Sequence, residues 1–166
     1  MGAVAHDAAP VTVRDLVLRP HHTALCVEDF DAAQRLFVEV FGFALEGAMD
    51  QRSEPGLSRV VGLPDALIRW AMLVHGDYRI ELFKYYRPQG RRSAIRQCDT
   101  GFTHVALEVT DVDAAYRRLI EAGYATTSSP QVLRGGRTKA VYLLAPEHNV
   151  VELIQFLAVP TESSPS

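Results

Sequence analysis

At 166 residues, the chain suits one compact domain, or two small halves around one core. Its formal net charge of −3 provides no basic field to gather nucleic-acid phosphates. Apolar residues at 48% and charged residues at 22% are ordinary for a soluble globular chain, and no run approaches the ~20 apolar residues of a membrane helix. Neither a nucleic-acid nor a membrane partner is therefore expected. Met1 to Pro10 lacks the basic start and apolar run of a secretory signal, so the expected compartment is cytoplasmic. Cys26 and Cys98 are isolated thiols, expected as small buried or half-buried apolar residues.

In chain order, residues 1–15 read as a frayed N-terminal segment. A short alternating strand follows at about 21–27, and Asp29 or Asp31 then opens a helix over Asp31–Phe41 that stops at Gly42. Strand-like runs come next at 43–48, 68–75 and 79–86. Residues 87–100 form a polar linker. The same order then returns: a strand at 103–109, Asp111 or Asp113 opening a helix over Asp113–Ala122 that stops at Gly123, and strands at 124–127, 138–144 and 149–156. The unit is βαβββ, twice, as modules 16–86 and 101–157, with residues 158–166 a flexible tail.

The duplication is visible residue by residue. His22-Thr-Ala-Leu-Cys-Val27 runs into Glu28-Asp-Phe-Asp-Ala-Ala33 and Arg35; His104-Val-Ala-Leu-Glu-Val109 runs into Thr110-Asp-Val-Asp-Ala-Ala115 and Arg117. A second echo sets Arg79-Ile-Glu-Leu-Phe83 against Val150-Val-Glu-Leu-Ile154. A carboxylate on a largely apolar strand face is costly unless it is paired or meets a cation, and Glu152 is the sharper case. A lone strand His or Glu would read as a solvated edge, but the same pair stands at equivalent places in both copies. Paired about a pseudo-twofold axis, His22, Glu81, His104 and Glu152 make one N2O2 ligand set for a divalent Zn, Ni, Co, Mn or Fe.

With these motifs in place the chain resembles the vicinal oxygen chelate superfamily over about residues 17–157. That superfamily includes glyoxalase I, methylmalonyl-CoA epimerase, extradiol dioxygenases and the bleomycin resistance proteins. The motifs are Pro20 to Val27 with its Asp-Phe-Asp-Ala-Ala helix start, Ile80-Glu-Leu-Phe83, Gly101 to Val109 and Val150 to Ile154. The resemblance implies an α+β fold in which tandem βαβββ modules form a cupped half-open barrel, glyoxalase-like, around a metal. It also implies a homodimer, in which His22 and Glu81 meet His104 and Glu152 either within a chain or across two chains.

The activity implied is that of a metal-dependent isomerase or lyase. It would move a proton alpha to a carbonyl of a small-molecule substrate through a metal-bound enolate. Glu152 is the expected base and Glu81 its partner, although the epimerase branch usually carries Gln where Glu81 stands. Asp65 falls near the second acid of an epimerase; its other reading is a turn residue after Pro64. An Fe(II)-dependent extradiol-type dioxygenase ranks second, because a fourth protein carboxylate would occupy a position that oxygen and catechol need. A small-molecule or antibiotic binding protein ranks third.

Lesser candidates have blander readings. Arg87, Arg91, Arg92 and Arg96 could neutralise a substrate anion but read better as a solvated loop. Gly135-Gly136 reads as a hairpin turn, with no helix after it to bind phosphate. Glu108 is expected to line the pocket or to hold a ligand His. His21 is expected to point away from His22, His6, His75 and His148 to lie on the surface, and Trp70 and Phe43 to pack core.

Overall fold

The computed structural model of the chain describes residues 13–91, 96–146 and 149–158. The first half consists of β1 (Thr23–Cys26), α1 (Phe30–Arg35), β2 (Ala44–Arg52), α2 (Pro55–Val61), β3 (Leu67–His75) and β4 (Tyr78–Arg87). The second half consists of β5 (Val105–Glu108), α3 (Val112–Glu121), β6 (Ala125–Thr126), β7 (Gln131–Leu133), β8 (Thr138–Leu144) and β9 (Val150–Phe156). Each half builds its own sheet, in the orders β1-β4-β3-β2 and β5-β9-β8-β6, with β7 pairing β8 from the side. In both, the first strand lies parallel to the last, which needs the helical crossover that the βαβββ order supplies.

Strand alternation separates two faces. On β4, Ile80 and Leu82 are fully buried while Glu81 and Phe83 point to the opposite, half-open face. On β9, Val151 and Leu153 are buried and Glu152 and Ile154 take the other side. The buried faces feed one apolar cluster that draws on both halves, including Phe30, Phe37, Leu73 and Leu82 with Val112, Leu119, Leu143 and Leu153. No helix among the described residues is long and apolar enough to cross a membrane.

The helix starts are matched. Asp29 accepts from the Ala32 amide at 3.0 Å and Asp111 from the Ala114 amide at 2.9 Å, so these two are the caps rather than Asp31 and Asp113. Asp31 instead meets Arg69 on β3 at 2.8 Å, and Asp113 meets Lys139 on β8, each tying a first helical turn to its sheet. The α-helix expected over Asp31–Phe41 is shorter: it ends at Arg35 and passes into a wider π turn, Leu36–Val40, in which the Phe41 amide donates to the Leu36 carbonyl. The consecutive residues Leu36 and Phe37 are both buried there, with the Phe37 ring against Phe41 and Phe43. Two elements were not expected, α2 and β7. Gly135 and Gly136, both at positive φ, turn β7 into β8 as the hairpin reading holds.

Both cysteines are exposed and neither forms a disulfide among the described residues, contrary to the buried reading. Cys26 lies on an edge strand and Cys98 in the connection between the halves.

Candidate metal centre

Glu81 sits in the middle of β4, opposite Ala24 of β1 and Met72 of β3. His22 stands just before β1, two residues before Ala24. Its Nε2 lies 2.9 Å from Oε2 of Glu81, whose side chain is only 14% exposed. The other ring nitrogen is engaged as well: Nδ1 of His22 hydrogen-bonds Nδ1 of His21 at 2.8 Å, with the rings edge to face. His21 therefore does not point away from His22. The chain leaves strand geometry before Thr23, which removes the alternation that would have separated them.

The second half repeats the arrangement. Glu152 on β9 lies opposite Ala106 of β5 and Tyr142 of β8. His104 Nε2 is 3.1 Å from Glu152 Oε2, and the Glu152 side chain is 15% exposed. His104 Nδ1 hydrogen-bonds Thr103 Oγ1 at 3.0 Å, so Thr103 does for His104 what His21 does for His22. In each half the residue before the histidine engages Nδ1 and leaves Nε2 facing a carboxylate. An Nδ1 hydrogen bond of this kind fixes ring orientation and tautomer in metal-binding histidines. The donor chemistry of each pair, an imidazole nitrogen beside a carboxylate oxygen, fits a divalent transition metal.

The pairs stand on separate sheets. Among the described residues of one chain, no group of three or more His, Cys, Asp or Glu side chains gathers as a metal cluster, so the two His–Glu pairs are not brought into one group.

Around the two pairs the copies differ. Trp70, expected in the core, lies on the Glu81 face of β3, and its indole Nε1 donates to Oε1 of Glu81. Its ring lies over Gly47 of β2, where a Cβ would sit 3.5 Å from it. Beside Glu152 the neighbour is Tyr142, whose ring lies 5.1 Å from that of His104. Burial first, and the Glu152 charge second, hold the Tyr142 phenol above its ordinary value. Burial does the same at Tyr85, with smaller effects from Cys26 and Glu81.

Asp65 occupies an exposed turn at φ +52° before β3, the turn reading of that residue. Phe43 is core. Arg96 is paired with Asp99, Arg87 and Arg91 are exposed, and Arg92 lies outside the described residues together with His6 and His148. Exposed His75 lies against the Phe43 ring. Glu108 lines a cavity of about 500 Å3 between the halves, walled by Phe41, Phe43, Tyr78, Arg118 and Leu119. None of the four His and Glu residues lines it.

Sequence reasoning missed Trp70, His21, Thr103 and Tyr142. Thr103 and His21 stand at equivalent places in the repeat, a signal that could have been read. Trp70 becomes legible once the β3–β4 register sets it opposite Phe83, diagonal to Glu81.

Comparison with known proteins agrees with this architecture. Residues 21–142 match the glyoxalase/bleomycin resistance protein/dioxygenase superfamily. A 2-epi-5-epi-valiolone epimerase from an Actinomyces species is 34% identical, the match covering 83% of this chain and 79% of that protein. A glyoxalase family protein from Bacillus cereus is similar in structure with a TM-score of 0.75 and 25% identity, over 89% of this chain and 100% of that one. A glyoxalase I variant from Zea mays gives a TM-score of 0.63 at 25% identity, over 86% of this chain and 46% of that one. The chain belongs to the glyoxalase/bleomycin resistance protein/dioxygenase superfamily.

Proposed function

We propose that the protein is a divalent-metal-dependent isomerase or lyase that moves a proton on the carbon beside a carbonyl of a small substrate. The epimerase branch is favoured within that class. The observation that carries the reading is the duplicated His–Glu pair, each Nδ1 engaged and each Nε2 facing a carboxylate. The 34% identical relative named as an epimerase of a ketone supports the branch. A C–H next to a ketone is the acidic one, so inversion at that carbon is a deprotonation followed by return of the proton to the other face.

His22, Glu81, His104 and Glu152 would hold the metal, one of Zn, Ni, Co, Mn or Fe. When bound, it supplies Lewis acidity at the substrate oxygens, which lowers the barrier to removing the neighbouring proton. Glu152 accepts that proton on a carboxylate oxygen, and the electron pair of the broken C–H bond passes into the carbonyl. A water on the opposite face gives a proton to the planar carbon and completes an epimerisation, while Glu152 passes its proton to solvent; return of the Glu152 proton at a neighbouring atom gives an isomer instead. The Glu152 side chain is only 15% exposed, so bulk water has little access to the carboxylate. Asp65 is left outside this scheme, exposed in its turn before β3.

One chain forms two pairs rather than a group of three or more, which supports assembly of the four residues between two copies, each giving one pair to each site. The test incubates the zinc- or cobalt-loaded protein with 2-epi-5-epi-valiolone in deuterium oxide. Deuterium entering the carbon beside the carbonyl in recovered ketone is expected. Oxygen uptake with Fe(II) and a catechol, without such exchange, would overturn the proposal in favour of a dioxygenase.

A further inference from the structure

We infer that Trp70 is a positioning residue, and that the duplicated halves have diverged into one clamped carboxylate, Glu81, and one movable carboxylate, Glu152. This rests on the metal reading proposed above. The two glutamates are equivalent by repeat and by register, and each shows one oxygen to a histidine Nε2. Their second oxygens are treated differently. Oε1 of Glu81 accepts from the Trp70 indole, so both of its oxygens are engaged. Glu152 shows its Oε2 to His104, and no hydrogen bond to its Oε1 is found among the described residues, unlike Oε1 of Glu81.

The difference follows from sequence and register. Met72 lies opposite Glu81 and Tyr142 lies opposite Glu152, so the position two residues earlier on the neighbouring strand is Trp70 in one half and Ala140 in the other. An alanine side chain carries no donor, and Ala140 is buried. The indole is itself seated: Gly47 on β2 leaves its ring a flat bed with a would-be Cβ only at contact distance.

An indole N–H donates and cannot accept, so it opposes any rotation of the carboxylate that would release the oxygen. A carboxylate that must swing to take a proton from carbon is poorly served by such a clamp; one that must stay on the metal is well served. The asymmetry thus assigns holding to Glu81 and proton transfer to Glu152.

The experiment is zinc calorimetry on the full chain, wild type and Trp70→Phe, with thermal melts of both apoproteins. Trp70→Phe keeps an aromatic side chain at this position and removes the donor together with part of the ring volume over Gly47, which the apoprotein melts register separately. A 10–100-fold weaker zinc affinity with an unchanged apoprotein melt is expected, with partial recovery in Trp70→His, whose imidazole can again donate. If wild type binds zinc and Trp70→Phe binds it equally well, the indole has no positioning role. If wild type binds no divalent metal, the metal reading beneath the inference falls instead. A readout that needs no substitution is also available, because Trp70 is the single tryptophan of the chain. Its emission is expected to change during a zinc titration with the same midpoint as the calorimetry. Emission indifferent to saturating zinc would overturn the inference.

Discussion

Nε2 of His104 lies 3.1 Å from Oε2 of Glu152 on the neighbouring parallel strand, and the Nδ1 side of the same ring meets Thr103 Oγ1 at 3.0 Å. The imidazole is thus held at both ends. If Nδ1–H donates to the threonine hydroxyl, the lone pair on Nε2 is left for a metal. Thr103→Val removes the hydroxyl and keeps the shape. Zinc affinity is expected to fall by about tenfold, as outer-shell changes of this kind do. Unchanged affinity by calorimetry would show that Thr103 does not orient the ring.

Glu152 is expected to separate chemistry from binding. In Glu152→Gln, deuterium exchange into the ketone should fall by about 100-fold or more, the scale of a lost general base, while zinc still binds with only part of its affinity lost. Glu81→Gln should lose most of the zinc. Full exchange activity in Glu152→Gln would remove that residue from the mechanism.

Sharing of the site between two copies has a quantitative consequence. His22→Ala and His104→Ala are each expected to be inactive alone. In a mixture that exchanges subunits, hybrid dimers would carry one intact and one doubly altered site, so activity should recover to about one quarter of wild type. No recovery after subunit exchange would place all four residues within one chain.

The seat of Trp70 can be tested from beneath. Gly47→Ala places a Cβ 3.5 Å from the indole, an ordinary contact, and should be tolerated. Gly47→Leu needs space that the ring occupies and should lower zinc affinity about as far as Trp70→Phe does. Equal affinities for the alanine and leucine variants would show that the ring is not fixed by this bed.

Stability should fall at both pH extremes for identifiable reasons. Arg69 beside Asp31, Arg79 beside Glu46 and Arg96 beside Asp99 hold these carboxyls below their ordinary values. The stabilisation is therefore present above the unfolded-state values and is lost as pH drops through the lowered ones. Burial raises Tyr85 and Tyr142 above the ordinary 10.0, so their share is kept below pH 10 and lost as pH rises through the raised values. A spectrophotometric titration should show a delayed tyrosine fraction; all six tyrosines ionising together near 10 would contradict it.

Periodicity and repetition were the legible parts of the sequence. β8 runs over Thr138–Leu144 as read, and the duplicated His, Glu and Asp positions occupy equivalent places. α2 went unread because it is only seven residues long: Leu57, Val60 and Val61 stand at helical spacing but none is buried, and one turn is too short a pattern to mark a helix. Its signals were local, with Pro55 opening it and Gly62 closing it at φ +69°. β7 is three exposed residues without alternation. The π turn in the first half depends on how Leu36 and Phe37 meet a core that both halves build. His21 and Trp70 were misread because their partners are set by the break of strand geometry before Thr23 and by cross-strand register, which one strand cannot display alone.

The most direct test of the account is the zinc stoichiometry of the purified full chain by calorimetry, with His22→Ala and His104→Ala alongside. One zinc per chain, abolished or severely weakened by either substitution, is the result expected of a site that both His–Glu pairs share. Two zinc ions per chain with each substitution removing one, or no binding at all, would contradict it.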